Sequence, residues 1–496
     1  LVGHNYFSTE TRRQYFDGRN LAIPGLYNIS NAQDNLVQIQ STIRKRTAAA
    51  FSRFNIDYKG LVFLEATGRN EWTSTLLAPN NSFFYGSVGG GLIFTELLPE
   101  NDGNILSFGK IRSSYAQAGR DAPAYTNTTF FNRGSVGGTW GGGIVFPLAG
   151  SGVGGVELSN TAGNPTLRPE RNNTFEIGAE LGFFRDKIFL DVTYYRAVNV
   201  DQILAVTVPG STGFTNQFIN SGQIENKGIE AVLNAEIINK GNFSWNMTAN
   251  FTRNRNMVLS LPVDRILLGS WGNLRPQVTE GEPFSVFYGT AFKRNEQGQL
   301  LLDNNGFPQL DPTGDKRLGD PNPDWLLGLR NTFQFKNVTF SFLWDFRIGG
   351  DVGHVSTNWM LPQGVGTNTL DRGHLVVFNG IIESDGTVNT RPVVIDQNYY
   401  TVNAGGRNIA ERFIEDGSWV RLRDVNLGFM LPSSFAQAIK ARRVDVNLYG
   451  RNLLLFTPYT GIDPETNLYG PNSSIGIDAF GTPNTRSFGI NLNVSF

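Results

Sequence analysis

Cysteine is absent from this chain, so neither a disulfide framework nor a thiolate metal site can be built. Long apolar runs are also missing: no stretch approaches the ~18 consecutive apolar residues of a helical membrane span. Charge of one sign is not in excess. The 42 basic and 43 acidic residues leave a formal net charge of −1, which argues against a nucleic-acid partner held on a general basic surface. Methionine (4) and histidine (3) are scarce, whereas glycine (57) and phenylalanine (37) are abundant. Glycine and aromatics with few helix formers point to β-structure. At 496 residues the chain suits several globular domains or one large repetitive architecture. It opens Leu1-Val2-Gly3-His4, without the basic start, apolar run or cleavage pattern of a signal peptide. The expectation is a fragment whose N-terminal part lies elsewhere.

What is present is strict alternation. Phe175, Ile177, Ala179, Leu181 and Phe183 alternate with Glu176, Gly178, Glu180 and Gly182. Phe243, Trp245, Met247, Ala249 and Phe251 alternate with Ser244, Asn246, Thr248 and Asn250. The same period recurs in Val338–Ile348, Val425–Leu431 and Phe488–Phe496. Period two puts one face in an apolar medium and the other in a polar one. A soluble antiparallel sheet with one wet face alternates in the same way, so the connections must decide. Tight turns at Lys59-Gly60, Arg185-Asp186-Lys187, Ile238 to Asn242 and Lys336-Asn337 separate long polar stretches. Those stretches run from Gly119 to Arg171, Val200 to Glu225, Met257 to Asp324, Gly349 to Gly417 and Phe456 to Asn484. Short turns on one side and long loops on the other are the rule of transmembrane β-barrels.

The fold class expected is therefore all-β, a transmembrane antiparallel barrel with short periplasmic turns and long extracellular loops. Segments of ten or so residues number about fourteen. Parity requires an even number of extra strands between Met257 and Pro323. A small hairpin is expected there, Phe284–Phe292 with Leu300–Leu302, and Leu1 to Tyr6 is expected as an ascending strand. The lipid face should carry Phe175, Ile177, Leu181, Ile188, Leu190, Val192, Met247, Phe340, Phe342, Val446, Ile490 and Leu492. The lumen face should carry Glu176, Glu180, Asp191, Glu230, Asn234, Asn246, Asp345 and Asn491. Phe183, Phe184, Trp245 and Trp419 stand near strand ends, as interfacial girdles do, and any one of them could equally be an ordinary sheet residue.

Several longer motifs stand out along the chain. They include Asn164-Pro165-Thr166-Leu167-Arg168-Pro169-Glu170, Asp191-Val192-Thr193-Tyr194-Tyr195 and Gly222 to Glu230 (GQIENKGIE). They continue with Gly319 to Trp325 (GDPNPDW), Gly417 to Phe429 (GSWVRLRDVNLGF), Gly450-Arg451-Asn452-Leu453 and Gly461-Ile462-Asp463-Pro464-Glu465. These motifs resemble those of SusC/RagA-type TonB-dependent transporters, and the resemblance covers nearly the whole chain, in the family's order. It implies residues 1–496 as the C-terminal portion of a 22-stranded barrel, with the plug, TonB box and first strands outside this chain. It implies bacterial outer-membrane localisation, with the C-terminus at the periplasmic face. It implies import of bulky nutrients, glycan or peptide, energised by TonB-ExbB-ExbD through the missing N-terminal part. A SusD-like surface lipoprotein is the implied partner, alongside outer-membrane lipid and lipopolysaccharide. A passive porin, or a barrel scaffold in a larger outer-membrane complex, would use the same wall.

Chemistry-bearing residues are few. No G-x-S-x-G elbow or H-E-x-x-H helix occurs, and no enzyme is expected. The glycine clusters Gly137-Gly138, Gly141-Gly142-Gly143 and Gly152 with Gly154-Gly155 lack the strand and helix of a phosphate cradle and read as loop. Of the histidines, His354 and His374 share a stretch with Asp351, Asp371 and Glu383, a conceivable metal site set against plain solvated loop residues. His4 stands apart. Asp303, Asn305 and Asp311 are candidate ligands for Ca2+ or Mg2+, although Phe307 and Pro308 break the spacing of a calcium loop and ordinary turn chemistry competes. No other cofactor is expected. Trp140, Trp271, Trp359, Tyr399 and Tyr400, with Tyr459 and Tyr469, are candidate substrate-stacking aromatics that could equally pin their loops. Phe496, the terminal aromatic of an unbroken alternating strand, is a candidate assembly signal.

Overall fold

A computed structural model describes residues 1–18, 20–33, 37–98, 105–133, 135–136, 144–145, 154–401, 408–468, 470 and 474–496. Its framework is a fourteen-stranded sheet whose order follows the chain. The strands are β1 (Val2–Asp17), β2 (Val37–Tyr58), β3 (Val62–Thr73), β4 (Ser82–Ile93), β5 (Leu106–Arg120), β6 (Glu170–Phe183) and β7 (Ile188–Val200). They continue as β8 (Gln223–Lys240), β9 (Phe243–Ser260), β10 (Trp325–Phe335), β11 (Val338–Ile348), β12 (Trp419–Met430), β13 (Arg443–Phe456) and β14 (Ser487–Ser495). Fourteen matches the count read from the alternation, and the segment at Leu1 to Tyr6 is indeed strand, extended to Asp17. The chain forms two compact units: residues 1–90, 114–175 and 198–223, and residues 91–113, 176–197 and 224–496.

Register explains why the alternation holds. In the second unit Phe333, Phe340, Leu427, Leu448 and Ile490 face one another across five strands. Phe335, Val338, Phe429, Val446 and Leu492 form the next apolar row. Between them lies a polar row of Gln334, Thr339, Gly428, Asn447 and Asn491. Slipping any strand by one residue would move its whole apolar set to the polar side. Beside the tight turns, Trp245 stacks on Phe333 (5.5 Å) and Phe333 on Phe340 (6.3 Å), an aromatic cluster on the apolar face. The turns take positive φ at Lys59-Gly60, Phe184-Arg185-Asp186, Gly241 and Lys336, a conformation that costs the glycines nothing and the other side chains some steric strain.

The long connections are not featureless. In the second unit, Arg265–Leu267, Leu274–Thr279, Val286–Gly289 and Lys316–Gly319 form a four-stranded sheet. Asp351–His354 lies between Ile414–Asp416 and Ile477–Asp478 in a three-stranded one, and Val355–Met360 is a short helix. Two apolar cores hold these pieces. One contains Leu274, Phe287, Val355, Ala410 and Ile477, the other Leu361, Ile395, Tyr399, Tyr400 and Phe413. In the first unit, Ile203–Thr207 and Asn216–Asn220 pair antiparallel, and Ile203 and Phe218 pack on Leu76, Ala122 and Leu167.

The expected hairpin of Phe284–Phe292 with Leu300–Leu302 needs correction. Val286–Gly289 pairs with Leu274–Thr279 and Lys316–Gly319, while Leu301–Leu302 runs parallel to Ile381–Ile382. The hairpin that forms is narrower, closed by the Leu301 N–H donating to Lys293 O (2.9 Å). Runs of two to four apolar residues carry too little pattern to choose partners far away in sequence.

Candidate functional site

Charged residues inside the sheet must find partners, because an unpaired buried charge is costly. The second unit solves this on its polar face. Arg112 bonds Glu180 through Nη1 (2.8 Å) and Asp191 through Nη2 (2.7 Å), while Lys110 reaches Glu180 (3.1 Å). A second network sits where β11 and β12 meet the loops. Arg421, almost fully buried, bonds equally buried Asp463 (2.7 Å) and lies 3.2 Å from Glu465. Arg423 holds Asp345 and Glu465, each at 2.8 Å. Glu180, Asp191 and Asp345, expected on the lumen face, thus share the polar face with their cations.

A bulge makes this second network. Leu343 pairs with Asp424 and Trp344 with Leu422, so Arg423 is an extra residue in β12. On the other side Leu422 faces Leu454 and Asp424 faces Arg451, leaving Asn452 and Leu453 unmatched. Asn452 takes φ of 52° there, which asparagine tolerates better than most residues. The bulge switches parity. Trp419, Arg421 and Arg423 lie on the polar face by odd number, whereas Asp424, Asn426 and Gly428 do so by even number. Bulges typically re-aim side chains in this way. The adjacent polar pair Arg423-Asp424 is the sequence signal that could have shown it. The motifs contain Arg421, Arg423, Asp463 and Glu465, but nothing in them says that these charges meet.

Above this network is a cavity of about 400 Å³ lined by Pro321, Leu326, Asp345, Arg347, Trp419 and Glu465, among others. Arg347 donates through Nη2 to Pro321 O (2.8 Å). Gly350, at φ 89°, makes room, because a Cβ there would come within 2.7 Å of Arg347 Nη2. Trp419 does not join an interfacial girdle. It is 5 % exposed and stacks against Arg421 and Arg423, with guanidinium carbons 5.6 and 5.1 Å from its ring centre. Its odd position, shared with those arginines, turns it to the polar side.

The candidate aromatics scatter. Tyr399 and Tyr400 are buried in the second loop core, where Tyr399 stacks on Phe307 and Phe378. Tyr400 donates to Asp371, and burial together with that carboxylate raises its hydroxyl well above the ordinary tyrosine range. Tyr459 is buried and donates to Asp478 Oδ2 (2.5 Å), with its pKa raised for the same two reasons. These three rings pin loops and present no stacking face to solvent. Trp271 packs against the first loop core, whereas Trp359 is about half exposed. Trp140, Tyr469 and most of the glycine-rich stretch from 137 to 155 lie outside the described residues.

The candidate metal ligands are engaged locally. Asp303 Oδ1 accepts from the N–H groups of Asn305 and Phe307 (2.9 Å each). Asp311 Oδ1 accepts from Thr313 N–H (2.8 Å) and Oγ1 (2.6 Å). The histidines are not brought together. Buried His354 places Nδ1 2.9 Å from Glu415 Oε1, His374 is exposed, and Glu383 pairs with Lys293. Burial of Glu415 opposes its ionisation, but His354 and Thr460 hydrogen bonds outweigh it and hold the carboxyl below its usual range. Among the described residues, no group of three His, Cys, Asp or Glu side chains is placed to hold a metal ion. Phe496 is exposed beyond the end of β14.

Comparison with known proteins places this geometry. The family model described as "TonB dependent receptor-like, beta-barrel" matches residues 1–453. TonB-dependent receptor P26 of Formosa agariphila is 30% identical over 508 residues, covering 95% of this chain and 48% of its own length. TonB-dependent receptor SusC of Bacteroides thetaiotaomicron is 26% identical over 352 residues, covering 67% of this chain and 32% of its own. The RagAB peptide importer in its open-open state aligns with a TM-score of 0.77 at 20% identity, covering 100% of this chain and 52% of that one. The chain thus spans about half the length of the curated relatives P3 and P26. It belongs to the TonB-dependent receptor β-barrel family, an outer-membrane family; SusC is among its relatives, and the RagAB importer shares its fold.

Proposed function

We propose that this chain is the barrel segment of an active importer that takes bulky nutrients, glycan or peptide, across the outer membrane. The short turns lie in the periplasm and the long loops face outward. TonB-ExbB-ExbD supplies the energy through an N-terminal plug region, and a SusD-like lipoprotein seats on the loops. The observation that carries this reading is the receptor-barrel match over residues 1–453. The packed loop layer of the second unit supports it, because two apolar cores give a firm rim on which a lid can close. The test is uptake of labelled oligosaccharides and oligopeptides by cells carrying the full-length protein, with and without TonB. Uptake that vanishes without TonB is expected. Uptake that persists would mean a passive porin.

Phe496 is proposed as part of the signal read during barrel assembly, with the C-terminus at the periplasmic side. Its aromatic ring ends the alternation of β14, and aromatic rings are well tolerated at the membrane interface. Deleting Phe496 should lower the heat-modifiable, folded fraction in the outer membrane more than it lowers synthesis. Wild-type insertion of the deletion variant would remove the assembly role.

A further inference from the structure

β1 and β2, of 16 and 22 residues, exceed the roughly 9–11 residues that a tilted strand needs to cross the hydrocarbon layer. Their pairing shows where the excess lies. In the first unit the apolar face is marked by Phe54, Ile56, Tyr58 and Leu64, all exposed. These residues alternate with polar Arg53, Asn55 and Asp57 on the other face. Farther from the Lys59-Gly60 turn on that same face, Tyr6, Ala48 and Trp72 stand in one row across three strands. Tyr6 is 63 % and Trp72 44 % exposed. From Tyr58 to Ala48 is ten residues of β2, about 25 Å along the membrane normal at an ordinary rise and tilt. That is the height of a barrel's apolar band, so Tyr58 and the Tyr6–Trp72 row mark its two rims.

Directly beyond the upper aromatic row, still on the outward face, the rows read Ser8 with Arg46, Glu10 with Arg44, and Arg12 with Thr42. Three guanidinium groups and one carboxylate therefore occupy the first ~15 Å above the apolar band. Glu10 accepts from Arg12 Nε (2.5 Å) and Arg44 Nε (2.7 Å). Both arginines remain more than 60 % exposed, and Arg46, also exposed, has no carboxylate partner among the described residues. Lys45, between Arg44 and Arg46, makes the contrast. Period two turns it to the other face, where it pairs with Asp121 (2.6 Å). Asp121 is in turn held by Thr73 and Thr75 hydroxyls. The inward cation is satisfied by the protein, while the outward ones form an excess positive ladder at headgroup height.

We propose that Arg12, Arg44 and Arg46 form a binding site for the phosphorylated headgroup of an outer-leaflet lipid, whose acyl chains lie along Tyr6 and Trp72. The site rests on the strand orientation proposed above but not on the transport activity. Arginine suits phosphate because its planar fork donates two hydrogen bonds to two oxygens at once. Glu10, bonded to the Nε groups of Arg12 and Arg44, competes with phosphate for them but leaves the ladder with a net positive charge.

The test uses full-length protein, purified in mild detergent and stripped of lipid, then incubated with lipopolysaccharide carrying or lacking its phosphates. Bound lipid is read by native mass spectrometry. Each basic side chain near an anionic membrane surface is worth about five-fold in binding, so the Arg12→Gln/Arg44→Gln/Arg46→Gln variant should lose about 100-fold. Arg53→Gln, on the opposite face of β2, should bind like wild type. Glu10→Gln, which removes the competing carboxylate, should retain more lipid than wild type; this arm stands even if the triple variant fails to fold. Wild-type binding by a folded triple variant would overturn the proposal. So would equal binding of dephosphorylated lipid, or displacement of the lipid by millimolar inorganic phosphate, which would mark a site for free phosphate.

Discussion

Phe287 in the loop layer and Phe340 in β11 have the same side chain in opposite circumstances. Phe287 is fully buried among Leu274, Val355, Ala410 and Ile477. Phe340 is 39 % exposed and points with Phe333 and Leu427 to the apolar face. The first is stabilised by protein packing, like any globular core residue. The second sits on the apolar sheet face that we propose lies against lipid, where removing a ring leaves room that acyl chains can fill. One chain therefore uses two means of burying apolar area: a wall that needs a membrane and loops that carry their own cores.

The largest effect expected from this contrast is in the loop layer. Phe287→Ala should cost about 3–5 kcal/mol of local stability through lost transfer energy and cavity formation. The cost should appear as faster hydrogen exchange across Asp351–His354 and new proteolytic cuts between Gly349 and Gly417, with the heat-modifiable barrel intact. Phe340→Ala should leave exchange in the same loops unchanged. Equal loosening by both would break the distinction.

Next in size is the buried pair where wall and loops meet. Arg421→Ala would leave Asp463 buried without its cation, and breaking such pairs typically costs about 3–5 kcal/mol; the Glu465 backbone N–H and the Asn484 amide, which still donate to Asp463, and relaxation of the loop should bring it toward the lower end. The expected readout is exchange at Gly461 to Glu465. The double variant Arg421→Met/Asp463→Leu should recover much of the loss, since a well-packed apolar replacement strands no charge.

The smallest effect is a single hydrogen bond. Tyr459→Phe keeps the ring and removes the donor to Asp478, for about 1–2 kcal/mol with the carboxylate left short of a partner. The same group sets a pH dependence. The hydroxyls of Tyr459 and Tyr400 have folded pKa values above their unfolded ones. Their stabilisation is complete below the unfolded tyrosine value of about 10 and is lost as pH rises above it. Glu415 acts in the opposite sense. Its lowered carboxyl stabilises the loops above the unfolded value of about 4.3 and ceases to as pH falls through the folded one. Hydrogen exchange corrected for intrinsic rate should show the loops loosening at both extremes, with the alkaline arm reduced in Tyr459→Phe.

The wall was legible in the sequence to a useful degree. Alternation, the tight turns at Lys59-Gly60 and Lys336-Asn337 and the length of each segment reflect local rules of strand geometry and backbone sterics, which need no knowledge of distant partners. Face assignments such as Phe340 against Asp345 follow from the same period. The motifs around Asn226-Lys227-Gly228 and Gly417 to Phe429 added the family.

The loops and the site were decided by tertiary structure. For Tyr399 and Tyr400 the sequence leaves substrate stacking and loop pinning both open, because nothing local says that Leu361, Ile395 and Phe413 pack with them. Trp419 looked like a membrane anchor because strand-end aromatics often are, until the arginines sharing its face are considered. Arg421 and Arg423 became one network with Asp345, Asp463 and Glu465 only when the bulge at Arg423 and the return of a loop 40 residues away brought the charges together. Period two is a property of a few bonds and survives in any single strand. Which carboxylate neutralises which guanidinium depends on register between strands and on loop closure, and that information is distributed over the whole fold.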